Sequence, residues 1–328
     1  MKPKILVTRE VFDETLAYLA AHCEVESNQA DQPFEPAALA QRLKDKDGVV
    51  CCLTDRIDDA LLAACPRLKV VANIAVGYNN IDVPACTTRG VMATNTPGVL
   101  DDSTADLAWT LMLATARRLT EAEAYVRAGD WKGWHLKQML GVDVHHATLG
   151  IIGMGRIGQQ IARRAAGFKM RVLYQNRNRL PADVEKSLDV EYATKDQLLA
   201  QSDFVVLQVP YSPATHHYIG AAELKKMKPT AILINSTRGG VVDDAALISA
   251  LKDGTIRAAG LDVFENEPKF NPGFLDLKNV VLAPHIGSST EATRRAMAMT
   301  AAKNAVAALT GAAPPNLVNP EAKSKIQK

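Results

Sequence analysis

Thr148-Leu149-Gly150-Ile151-Ile152-Gly153-Met154-Gly155-Arg156-Ile157-Gly158, residues 148–158, joins an apolar run to a glycine-spaced turn. Beyond it, Ile157, Ile161, Ala165 and Phe168 recur at helical spacing. A strand that passes through GxGxxG directly into a helix is the arrangement that cradles the pyrophosphate of a dinucleotide. Each glycine has its own reason to be there. Gly153 permits the tight turn, Gly155 lets backbone approach the anion, and Gly158 lets the helix pack closely on the strand. The unpaired amides and the positive end of the helix dipole then face the phosphates.

Outward from this turn, short apolar runs alternate with longer amphipathic ones. KILVT, GVVCCLT, KVVANIAV and VMATNT read as buried strands in the first hundred residues; TLGIIG, MRVLYQ, DFVVLQV, AILINS and VVLAPH form a second series. Continuous apolar strands separated by helices imply parallel sheets covered on both faces. Two series predict two α/β domains. Asp101-Asp102-Ser103 reads as a helix start, and the segment after it, TADLAWTLMLATARRL, is apolar nearly all round. Such a helix is expected to be buried or to lie in a subunit interface. The last amphipathic run, about Ser289 to Thr310, is expected to pack back on the first domain.

The chain of 328 residues is 47% hydrophobic and 23% charged, enough for two ordinary cores. A formal charge of +2 leaves no electrostatic footprint for nucleic acid or a membrane surface. Cys23, Cys51, Cys52, Cys65 and Cys86 show no CxxC pairing and read as small buried hydrophobes in a reducing compartment. MKPKILVTRE turns charged too early for a signal peptide. Leu107–Ala116 is too short to span a bilayer and is stopped by Arg117-Arg118. A cytoplasmic location is expected.

The end of the strand after the glycine turn separates the two nicotinamide cofactors. An NAD enzyme places a carboxylate there for the ribose hydroxyls. Between Gly153 and Asp183 this chain has neither Asp nor Glu, and the strand end reads Gln175-Asn176-Arg177-Asn178-Arg179. Guanidinium groups offer forked, permanently charged donors to a 2′-phosphate. Asn176, Arg177 and Arg179 are therefore expected to bind NADPH, with NADH a weaker alternative.

Reducing a ketone beside a nicotinamide requires a fixed cation, a proton donor and a group that orients the donor. Arg238 follows the strand AILINS, Glu267 lies in FENEP, and His285 ends VVLAPH. Arg238 and His285 thus sit at the carboxyl ends of parallel strands, the edge where open α/β sheets bind ligands. His22, His135, His145, His146, His216 and His217 lack this placement and read as solvated or structural. No metal site is expected, because the acidic pairs and His145-His146 lack a convincing set of further ligands.

The order GMGRIG, INSTRG, GLDVFENEP, APHIGSST, preceded by VGYNNID at 76–82 and NTPGV at 95–99, resembles the D-isomer-specific 2-hydroxyacid dehydrogenases over nearly the whole chain. The resemblance implies a Rossmann dinucleotide-binding domain, 101–289, inserted into a flavodoxin-like substrate domain made of 1–100 plus 290–328. It implies Arg238 as binder of the substrate carboxylate and carbonyl, and His285 as proton donor paired with Glu267. Val76 and Gly77 would add amide donors to the carboxylate. On the cofactor side it implies Arg156 and Ile157 at the pyrophosphate, Thr104 near the phosphates, Pro210 and Thr215 flanking the cofactor, and Thr237, Asp262 and Gly287 at the nicotinamide end.

Within the family the chain looks most like the glyoxylate/hydroxypyruvate reductases, including those that take 2-ketogluconate. That likeness implies a homodimer in which Trp134, of DWKGWH, reaches toward the neighbouring site, and in which Leu53 lines the pocket. Two rivals stand beside it. Phosphoglycerate dehydrogenases share the central motifs, but the acid-free loop suits them poorly. NAD(P)-sensing corepressors share the glycine turn, but the Arg–Glu–His set favours catalysis.

Overall fold

The computed structural model describes residues 1–322. The chain forms two compact units, one built from Met1–Leu100 with the chain from Ser289 onward, the other from Asp101–Ser288.

The first unit carries β1 (Lys4–Val7), β2 (Glu24–Ser27), β3 (Gly48–Cys51), β4 (Val70–Asn73) and β5 (Met92–Thr94). All pair in parallel in the order β2-β1-β3-β4-β5, the flavodoxin-like order. Side chains alternate between faces along each strand, and both faces of β3 and β4 are covered. Val50, Val70 and Ala72 pack under the helix Glu291–Leu309 through its Ala298, Ala301, Ala302 and Ala305. Val49, Cys51 and Val71 pack under Leu39, Leu43, Leu61 and Leu62 on the other side.

The second unit carries β6 (Thr148–Ile152), β7 (Arg171–Gln175), β8 (Val190–Tyr192), β9 (Phe204–Leu207), β10 (Ile232–Asn235), β11 (Ala258–Leu261) and β12 (Val280–Leu282). They run parallel in the order β12-β11-β10-β9-β6-β7-β8. Read from β8, this is the doubly wound Rossmann order, which reverses direction at β6 and β9. Loops at the carboxyl ends of those two strands therefore diverge and leave a crevice.

The helix Asp101–Ala116 is buried at nine positions and packs on Ile151, Val206, Ile232, Ile234 and Ala258 of this sheet. Its Trp109 stacks on Phe168 at 4.6 Å and donates its indole N–H to the Ile161 carbonyl, 3.1 Å away. Its apolar circumference is thus largely buried within its own unit, the first of the two outcomes expected for it. Exposed apolar side chains come just after it instead, at Leu119, Val126, Trp131, Trp134, Leu136 and Leu140.

Three strands went unread in the sequence. β2 and β8 are edge strands with few buried residues. β11 reads AAGL and lacks the branched side chains that mark a strand. Among the described residues, no helix is long and apolar enough to cross a membrane.

Candidate active site

The glycine turn leaves β6 with Gly153 at a φ of 103°, where a Cβ would stand 2.4 Å from the Gln208 carbonyl oxygen. At Gly158 a Cβ would meet the Gly153 carbonyl oxygen at 2.2 Å, so helix and turn touch backbone to backbone. At Gly155 a Cβ would meet nothing within 4 Å. Gly155 also caps the helix Arg156–Ala165 without a side-chain acceptor. Its first amides, at Arg156 and Ile157, are those a bound anion satisfies. The turn fits a dinucleotide pyrophosphate.

The loop after β7 treats its two arginines differently. Arg177 is exposed and makes no ion pair among the described residues, while the Asn176 side chain bonds the Asn178 carbonyl at 3.1 Å. Arg179 gives its guanidinium to Glu185 through bonds of 2.8 and 2.9 Å. Glu185 also accepts the hydroxyl of buried Tyr174, which in turn accepts the Leu180 N–H at 2.9 Å. These two donors hold the Glu185 carboxyl down at about 2, against a small opposing effect of burial. A cofactor phosphate at Arg179 would have to compete with Glu185. A carboxylate does reach this loop, two residues beyond the acid-free stretch.

After β9, Thr215 donates its hydroxyl to the Pro210 carbonyl at 2.7 Å and accepts the Ser212 N–H at 2.8 Å, which closes a loop containing both expected residues. After β10, Asn235 is a hub. Its carbonyl oxygen accepts the hydroxyl and N–H of Thr237 at 2.8 and 3.2 Å, and its amide donates to the Arg238 carbonyl at 3.4 Å. Arg238 is half-buried and bonds the Thr237 carbonyl at 2.7 Å. Burial pushes its guanidinium below the ordinary value, and the nearby Glu267 charge opposes this.

His285 follows β12 at a φ of 56°, a backbone region that non-glycine residues rarely adopt and that clusters at functional sites. Its Nδ1 lies 2.7 Å from Glu267 Oε2, and the other Glu267 oxygen accepts the Phe264 N–H at 2.8 Å. Burial would raise the Glu267 carboxyl. The His285 hydrogen bond and charge, the Phe264 amide and the Arg238 charge outweigh it and hold the carboxyl below its usual range.

Asp262 supports His285 from beneath. Its carbonyl accepts the His285 N–H at 2.9 Å, and its carboxylate oxygens accept the amides of Ile286 and Gly287 at 2.7 and 2.8 Å. Burial lifts the Asp262 carboxyl above its ordinary value despite those donors. A Cβ on Gly287 would lie 3.3 Å from Asp262 and 3.5 Å from Thr104, so these three positions meet.

Of the remaining expected residues, Leu53, Val76 and Gly77 belong to the first unit and Trp134 to the second. In the first unit Leu53 follows β3, half-buried. Val76 and Gly77 follow β4, and the bonds that fix their loop take carbonyls: Asn95 donates to Val76 at 2.9 Å and Asn73 to Gly77 at 3.0 Å. Trp134 is 75% exposed.

The expectation that no ligand set for a metal exists is revised. His216 and His217 meet Glu265, which lies 48 residues beyond His217. That separation hid the grouping, as local spacing hid Glu185 and the Asn235 hub.

Residues 109–287 match the family described as D-isomer specific 2-hydroxyacid dehydrogenase, NAD binding domain. A glyoxylate reductase of Thermococcus gammatolerans is 51% identical over 325 residues, 98% of this chain and 97% of that protein. The crystal structure of a glyoxylate reductase from Paecilomyes thermophila superposes with a TM-score of 0.87 at 33% identity, covering 98% of this chain and 99% of that one. The NADPH-dependent glyoxylate/hydroxypyruvate reductase of Sinorhizobium meliloti, solved with NADP and malonate, gives 0.88 at 33% identity and covers 98% of each chain. The chain belongs to the D-isomer-specific 2-hydroxyacid dehydrogenases, glyoxylate reductase type.

Proposed function

We propose that the protein uses NADPH, and NADH less well, to reduce small 2-keto acids to D-2-hydroxy acids. Glyoxylate, hydroxypyruvate and 2-ketogluconate are the substrates we assign to it. The observation that carries this reading is the 2.7 Å His285–Glu267 couple with the charge of Arg238 acting on the same carboxylate. Arg238 holds the substrate carboxylate and polarises the ketone. His285 hands its proton to the carbonyl oxygen, and Glu267 keeps the imidazole oriented. The amides of Val76 and Gly77 join Arg238 on the carboxylate. When bound, the reduced nicotinamide supplies the hydride to the carbonyl carbon, so the product gains one hydride and one proton.

The glycine turn, with Arg156 and Ile157, holds the pyrophosphate; Pro210 and Thr215 flank the cofactor. Thr104 lies near the phosphates, and Thr237, Asp262 and Gly287 frame the nicotinamide end. Support for NADPH comes from exposed Arg177 with its neighbour Asn176, and from the NADP bound by the Sinorhizobium relative. The exposed Trp131, Trp134, Leu136 and Leu140 support a homodimer, in which Trp134 and Leu53 shape the pocket. We place the enzyme in the cytoplasm.

The test is NADPH oxidation with glyoxylate, hydroxypyruvate, pyruvate, 2-ketogluconate and 3-phosphohydroxypyruvate, with sedimentation to give the assembly. Turnover with the first two is expected, falling about 10²–10⁴-fold in His285→Ala. Oxidation that no keto acid stimulates would remove the reading.

A further inference from the structure

His216 and His217 follow β9, and Glu265 follows β11, outside the group of Arg238, Glu267 and His285. One ring nitrogen from each histidine and one carboxylate oxygen all lie within 4.8 Å of one another. Neighbouring side chains on extended backbone point to opposite sides. Here His217 has a φ of 48°, and the two imidazoles stack with centroids 3.9 Å apart. The bend is held from two directions. The His217 N–H donates to the Gly240 carbonyl at 2.7 Å, and a side chain at Gly240 would meet the Tyr211 ring at 2.8 Å.

Each ring also has a further polar group beside it. The Tyr211 hydroxyl lies 3.3 Å from His216 Nδ1, and the Asp243 carboxylate lies 3.8 Å from His217 Nδ1. His217 Nε2 faces Glu265 Oε1 at 2.6 Å. The His217 ring, with one nitrogen toward Glu265 and the other toward Asp243, matches the support that metal-bound histidines use. Two imidazoles and a carboxylate suit zinc and the neighbouring late first-row divalent ions. Calcium and magnesium demand oxygen donors that this cluster lacks. The histidines are exposed and Glu265 is half-buried, so an ion can enter with water completing its shell.

We propose that His216, His217 and Glu265 form a binding site for a zinc-class divalent cation, separate from the keto acid site. The cation would bridge the loop Tyr211–His217 to the loop that carries Glu267. The second loop is already tied to its neighbours. The Glu265 N–H donates to buried Asp244 at 3.0 Å, and a Cβ at Gly239 would fall 1.7 Å from the Phe264 carbonyl oxygen. The ion replaces the His217–Glu265 hydrogen bond with a shared centre, which selects the folded arrangement and stabilises it by linkage.

The experiment titrates chelator-treated full-length protein with Zn²⁺ against a chromophoric chelator, and follows Tm in parallel. One equivalent bound in the micromolar range, with a rise in Tm, is expected. His216→Ala, His217→Ala and Glu265→Gln should each weaken binding more than tenfold, and Tyr211→Phe about tenfold. His285→Ala should bind as the wild type does. Binding that survives the His216 and His217 substitutions, or is lost in His285→Ala, overturns the proposal, as does no saturable binding below millimolar Zn²⁺. If the variants fail to fold, Co²⁺ added to the wild type decides. Absorption of a nitrogen- and oxygen-ligated ion supports the site, and thiolate charge-transfer bands or no bands overturn it.

Discussion

Arg177 and Arg179 stand two residues apart on one loop, yet only Arg179 has a carboxylate to hold it. A phosphate must compete with Glu185 for Arg179 and with water alone for Arg177. Replacing Arg177 with Ala should cut kcat/KM for NADPH by about 10–100-fold, the worth of a charge-assisted hydrogen bond, and leave NADH nearly unchanged. Arg179→Ala should cost NADPH less. Equal losses for both cofactors in Arg177→Ala would rule out phosphate recognition.

Glu267 argues a pH effect in the same way. Its carboxyl is held below the ordinary range. The carboxylate charge beside His285 is therefore present from mildly acid pH upward, and is lost only as pH falls through that depressed value. Glu267→Gln removes it throughout. The acid limb of reductive kcat/KM that protonation of this carboxyl sets in the wild type should then disappear from the variant. A limb that stays in place would mean this carboxyl does not set it.

Arg238 and His285 were legible because each ends an apolar run in one dimension. Glu185 was not, because its partnership with Tyr174 and Arg179 exists only once the helix Ala182–Leu188 folds back on β7.

Among the elements, the helix Asp101–Ala116 shows why burial can be foreseen while its partner cannot. Its composition announced an all-round apolar surface, and nothing in the sequence said whether sheet or second subunit would cover it. The sheet covers it, and β11 makes room. At Gly260 a Cβ would come within 2.8 Å of Thr115 and 2.9 Å of Ile234. A strand of Ala-Ala-Gly-Leu is poor in β signal because the helix lies so close above it, and that is why it escaped notice.

Trp109 ties this helix to the one that begins at the glycine turn. Trp109→Ala removes a side chain only 5% exposed and leaves the Ile161 carbonyl without its donor. It should cost about 3–5 kcal/mol in denaturant unfolding. A loss under about 1 kcal/mol would show that the stack adds little to the packing.

On the scale of the whole molecule, all five cysteines belong to the first unit and all are free. Burial pushes the Cys52 and Cys86 thiols up to about 12, and drives Cys51 well above its ordinary value. Cys23 and Cys65 are raised by the same cause. At pH 8 a thiol titrating at 12 is thiolate in about one molecule in ten thousand. A disulfide reagent should therefore label the native protein very slowly and reach all five thiols after denaturation. Fast labelling of one thiol in the native state would reveal an opening of the first sheet.

The first sheet is roofed by the helix Glu291–Leu309, which lies on Val50, Val70 and Ala72. A ribosome makes those strands well before that roof. Between them it makes Asp101–Ser288, which holds a complete seven-stranded sheet of its own. The nascent chain therefore builds that whole body while its first hundred residues wait with one apolar face open, for roughly ten to forty seconds at ordinary translation speeds. Chaperone capture should be strongest in that interval and fade as the roof leaves the exit tunnel.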